Sequence, residues 1–121
     1  MSQENRYEVI DPLETIISYL AEEMDSSFTS TEETIKTVLS NVFSSDPFFI
    51  DAYARIMDNK DKVRMLVKKF NRYVLPKIVL ILSISGNAQN PIIERMKEMY
   101  MIETVYCALY RSFIEVLNDV Y

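Results

Sequence analysis

The chain contains one glycine, Gly86, in 121 residues. Average usage would supply roughly 8. Glycine is the residue that takes positive φ at low cost, and two-residue hairpins and tight turns depend on it. A chain with one glycine is therefore poor in hairpins and cannot form a glycine-rich phosphate loop. Its turns must come from other residues, and Pro, Asp, Asn and Ser stand where helix starts require them. With 49% hydrophobic and 26% charged residues, the composition is that of a single globular domain.

The helix-start signals recur in order. Asp11-Pro12 with Glu14 gives an N-cap, a first-turn proline and a capping-box acid. Leu13, Ile16, Ile17 and Leu20 follow at helical spacing. Residues 1–10 are expected to be a flexible segment preceding a single helical domain over 11–121. Ser30 with Glu33 predicts a second start, with Ile35, Val38, Leu39, Val42 and Phe43 as the apolar stripe. Asp46-Pro47 predicts a third, short helix, apolar on more than one side. A fourth is expected from about Lys60 to Leu75, with Pro76 kinking or restarting it. The stretch 77–85 is rich in β-branched residues, but a lone strand has no partner. It reads as a buried helix ending at Gly86. Asn90-Pro91 opens the last helix, expected to run to about Leu117, about 40 Å at ~1.5 Å per residue. Its apolar positions cover roughly 220° of the wheel, wider than the ~100° stripe of a surface helix. That breadth predicts either a central helix with neighbours on two or more sides or packing against another chain. The expected fold is all-α: a compact bundle of five or six helices with the long C-terminal helix at its centre.

Charge is segregated along the chain. The net charge of −5 divides into −8 over residues 1–50 and +6 over residues 60–77. Lys60, Arg64, Lys68 and Arg72 lie four apart and form one slowly drifting ridge. Lys62 and Lys69 widen it, and Lys77 adds to it by charge. Val63, Leu66, Val67, Phe70, Tyr73 and Val74 fall on the opposite arc. Three readings stay open. The lysines are ordinary solvated groups paired with acids of the first two helices, or the ridge meets nucleic acid, or it meets an acidic protein or anionic membrane surface. With Phe70 and Tyr73 on the apolar side, the ridge has little aromatic stacking support.

In the last helix, Glu103 falls inside the apolar arc. It reads as a perturbed acid, as a carboxylate satisfied by a tyrosine, Arg55 or Arg95, or as half of a pair across a subunit interface. Tyr100, Tyr106, Tyr110 and Phe113 form an aromatic stripe that is core or an interface. Cys107 beside it reads as a buried inert thiol.

Catalytic signals are absent. There is no histidine, the commonest general base, and one cysteine with no histidine draws no zinc site. Glu94 and Glu98 are four apart on the last helix, a weak metal signal without histidine or a second such helix. No cofactor is expected, and an enzyme is not. A single cysteine excludes an intrachain disulfide, which suggests a reducing compartment such as the cytoplasm. No apolar run approaches the ~20 residues of a membrane span.

In size, helicity and charge pattern the chain resembles small helical subunits of nucleoprotein machines, such as archaeal CRISPR effector small subunits, and also viral helical proteins. It departs from apoptosis-regulator bundles in lacking their Asn-Trp-Gly-Arg signature. The expectation is a non-enzymatic interaction module, a homo-oligomer or small subunit, whose basic helix 60–77 contacts an acidic partner. The alternative is a nucleic-acid-binding subunit using the Lys60/Arg64/Lys68/Arg72 ridge.

Overall fold

Five helices account for the described chain: α1 (Ser2–Met24), α2 (Ser26–Ser45), α3 (Pro47–Ile56), α4 (Lys60–Ser85) and α5 (Pro91–Leu117). The computed structural model describes the backbone of residues 2–24, 26–85 and 90–119, and the side chains of 12–23, 32–77, 80–81 and 90–119. No strand occurs among the described residues. The all-α bundle expected from the sequence is the fold of the chain.

Where Asx-Pro pairs open helices, the expected local chemistry is present. Asp46 is extended, and its Oδ1 accepts the amide N–H of Phe48 at 2.9 Å. Asn90 does the same for Ile92 at 2.9 Å. Asn59 caps α4, accepting the amides of Asp61 and Lys62 at 3.1 and 3.3 Å. Each side chain satisfies donors that the first helical turn leaves without a partner. Beyond α5, Asp119 takes φ 56°, a left-handed conformation that Asp tolerates, and its N–H bonds the carbonyl of Val116 at 3.1 Å. Gly86, expected to end α4, lies outside the described residues.

Three boundaries differ from expectation. Helix α1 begins at Ser2, and Pro12 is internal to it. Proline fixes φ near the helical value, so a helix can run through it at the loss of one backbone hydrogen bond. Residues 2–10 are thus helical in backbone. Helix α2 begins at Ser26, four residues before the expected cap. Helix α4 also runs unbroken through Pro76 to Ser85, which makes the ambiguous stretch helical. That stretch is only partly buried where its side chains are described: Ile81 is buried, whereas Lys77 and Leu80 are exposed.

The core forms where the five helices converge. Leu20, Leu39, Ile56, Leu66 and Leu109 supply one fully buried aliphatic side chain from each helix. Phe43, Phe49 and Phe113 meet between them, with ring centroids 5.8 to 6.4 Å apart in tilted and edge-on pairs. Such geometry adds about 0.5–1.5 kcal/mol per pair beyond area burial. Helix α5 contacts α2, α3 and α4, and the α4–α5 contact is the most extensive. The long C-terminal helix therefore has neighbours on more than one side.

Candidate functional site

Helix α4 sorts its residues by angle. Val63, Leu66, Val67, Phe70 and Val74 are buried against the bundle. Lys60, Arg64, Lys68 and Arg72 are exposed along the outer arc, and Lys77 is exposed beyond them. The Arg64 guanidinium lies 4.9 Å over the ring of Tyr19 on α1. Helix α1 packs on α4, yet no ion pair within 4.0 Å joins α4 to a carboxylate of α1 or α2 among the described residues. None of the five outer cations has a carboxylate partner at that distance among them. Among the described residues, the acidic first helices do not neutralise the ridge through direct pairs. Asp61, on α4 itself, is the one acid within its span, and it is exposed.

Two members of the expected ridge belong elsewhere. Lys69 is only 5% exposed, and its Nζ donates to Glu115 Oε1 of α5 at 3.0 Å. The Tyr73 hydroxyl donates to that same oxygen at 2.6 Å, and Arg111 Nε reaches Oε2 at 3.1 Å. The Arg111 guanidinium also lies 4.2 Å over the Tyr73 ring. The Tyr73 hydrogen bond, with help from Lys69, holds the Glu115 carboxyl down to about 2, against burial. Lys62, half-buried, meets Asp119 at 3.4 Å. Both lysines project from the flank of α4 that faces α5, so they join the two helices and do not widen the ridge. The exposed surface reduces to Lys60, Arg64, Lys68, Arg72 and Lys77.

Helix α5 carries two apolar faces. Met101, Val105, Ala108, Leu109, Phe113 and Val116 are buried. Ile92, Met96, Met99, Tyr100 and Tyr110 are exposed on the other. This second face explains the breadth of the apolar arc. Glu103 lies on it and is exposed, with no ion pair or hydrogen bond among the described residues, so it is not a buried carboxylate within the chain. Cys107 is likewise exposed and not a core thiol. The aromatic stripe divides: Phe113 is fully buried, Tyr106 half-buried, and Tyr100 and Tyr110 exposed.

Tyr106 is tied to the start of α3. Its hydroxyl donates to Asp46 Oδ2 at 2.6 Å, which leaves Oδ1 for the Phe48 amide. The pair raises the Tyr106 hydroxyl above its ordinary value, and the tyrosine hydrogen bond, then that of the Phe48 amide, lowers Asp46. The Phe48 ring packs tilted against Tyr110, centroids 4.9 Å apart. Sequence reasoning missed Glu115 and Asp46 as tertiary partners. Each reads locally, as an i, i+4 partner of Arg111 and as a helix cap, and only the packing shows the second role.

The described residues bring together no group of three or more metal-ligating side chains. Two shallow grooves run beside α2, one against α1 and one against α5. The second mixes Glu33, Glu94 and Glu98 with Thr34, Thr37, Val38 and Met101. No described helix is long and apolar enough to cross a membrane. No family model matches the chain, and no curated protein or solved structure does either.

Proposed function

We propose that the chain is a non-enzymatic helical interaction module that meets an acidic partner through the outer face of α4. One observation carries this reading. Five exposed cations over 60–77 have no carboxylate partner among the described residues, in a chain whose net charge is −5. Unpaired surface cations in a row complement a row of acids and steer an acidic partner toward the helix. An acidic protein surface fits better than nucleic acid because α4 offers no free ring for a base to stack on: Phe70 is in the core, Arg111 covers the Tyr73 ring, and the nearby Tyr19 ring is already faced by Arg64. Nucleic acid is the second reading, because the four-residue repeat of cations suits a phosphate backbone.

Titration of polyglutamate and of a short duplex DNA, each at low and moderate salt, tests both. The expected result is salt-sensitive binding of polyglutamate that falls more than tenfold in Arg64→Glu/Lys68→Glu. Preferential binding of DNA, lost in the same variant, would move the assignment to nucleic acid. No binding of either polyanion at low salt would remove the ridge as a contact surface.

A further inference from the structure

The outer face of α5 has the geometry of a self-pairing seam, and we infer that it pairs antiparallel with α5 of a second copy of this chain. Ile92, Met96, Met99, Glu103, Tyr106 and Tyr110 recur at alternating steps of four and three residues. That repeat places them in one narrow line, the spacing of a coiled-coil seam. Five of the six are exposed and Tyr106 is half-buried, so the seam faces away from the bundle.

The order of residues along the line favours the antiparallel arrangement. The spacing reads the same in both directions, so a two-fold axis near Met101 brings every layer into register. Ile92 then meets Tyr110 of the second copy, Met96 meets Tyr106, and Met99 meets Glu103. The N-terminal half of the seam is aliphatic and sulfur-bearing, hence adaptable. The C-terminal half is aromatic and fixed by α3, through the Asp46–Tyr106 hydrogen bond and the tilted Phe48–Tyr110 ring contact. Antiparallel pairing sets Met96 on the Tyr106 ring and Ile92 on the Tyr110 ring, favourable contacts, whereas parallel pairing would set methionine on methionine, tyrosine on tyrosine and Glu103 on Glu103. One flank agrees. In an antiparallel pair Ile93 and Cys107 of opposite copies share a side, with Tyr100 beside its own counterpart, and all three are exposed.

Area supports a second copy as the occupant. Ile92, Ile93, Met96, Met99, Tyr100 and Tyr110 are each 40–70% exposed. Together they present on the order of 600 Å² of side chain, the upper end of the largest apolar patch on a typical monomer, where such patches are often functional. A symmetric pair would cover roughly 1,200 Å² in total, the lower edge of specific interfaces. Glu103 is the polar residue in the seam. A polar residue at one layer fixes register at a cost in stability.

This inference is independent of the α4 ridge, and its test uses no polyanion. Sedimentation velocity of the intact chain across micromolar to high micromolar concentrations should give a reversible monomer–dimer equilibrium. Met96→Lys/Met99→Lys, at exposed positions, should shift the equilibrium to monomer while its circular dichroism stays unchanged and its melting matches that of the native chain at monomeric dilution. Glu103→Leu should tighten the dimer at least tenfold. Orientation is read by cross-linking. Across the axis Cys107 is offset from its counterpart by about 18 Å at ~1.5 Å per residue, too far for a disulfide. In a Cys107→Ser background, Tyr100→Cys should instead link to itself through a short bis-maleimide. A monomer at every concentration overturns the inference, as does a dimer that survives Met96→Lys/Met99→Lys. Disulfide formation by native Cys107 within the reversible dimer would overturn the antiparallel register. Arg64→Glu/Lys68→Glu should dimerise as the native chain does.

Discussion

Glu115 is the residue at which α4 and α5 are joined, since one carboxylate accepts from Tyr73, Lys69 and Arg111. Its folded value of about 2 lies below the ordinary 4.5. The ionised form is thus favoured by folding, and its contribution is fully present above about 4.5 and lost as the pH falls through about 2. Melting temperature should decline over that interval, and Glu115→Gln should flatten the decline when melts are recorded against pH. In the core, Phe113→Ala removes the ring that meets Phe43, Phe48 and Phe49, and should cost about 3–5 kcal/mol in urea unfolding. Phe113 was legible as apolar from spacing alone. Lys69 and Glu103 were not, because a wheel gives an angle and not the neighbour at that angle. Lysine at the edge of a basic stripe reads as surface until a carboxylate on another helix takes it in. Glutamate inside an apolar arc reads as buried until that arc proves to contain an outward face.

Helix boundaries were legible where the chemistry is local. Asp46-Pro47 and Asn90-Pro91 announced α3 and α5, and Asn90→Ala should destabilise the chain by about 1 kcal/mol through loss of the bond to Ile92 N. Boundaries were illegible where a strong local signal sits inside a longer element. Asp11-Pro12 has every mark of a start, yet α1 runs past it, and the Ser/Thr run before residue 31 continues α2. Proline and serine lower helix propensity without forbidding helix, and the packed bundle decides. Pro76 is the same case in α4. It is exposed, so Pro76→Ala leaves no cavity and restores an amide to the ladder. Equilibrium denaturation should show Pro76→Ala more stable by about 1–3 kcal/mol.

At the level of the whole molecule, segregation of charge was legible along the chain, but its arrangement in space was not. The strongly acidic first 50 residues and the basic helix are neighbours through α1 and α4, and still form no direct ion pairs among the described residues. Surface cations left in this way act through long-range fields that salt screens over a Debye length of about 10 Å at 0.1 M. Binding of an acidic probe should therefore weaken several-fold between low and physiological salt, chiefly in its association rate, and stopped-flow mixing would show it. The clamp of Lys69, Tyr73 and Arg111 on Glu115 has a consequence at this scale. It fixes the cationic line of α4 relative to the apolar line of α5. Any assembly built on the second then holds two copies of the first at one set separation and opposite polarity. A long acidic partner able to span both would be bound bivalently, with an avidity far above that of either line alone. A partner too short to span them would gain nothing.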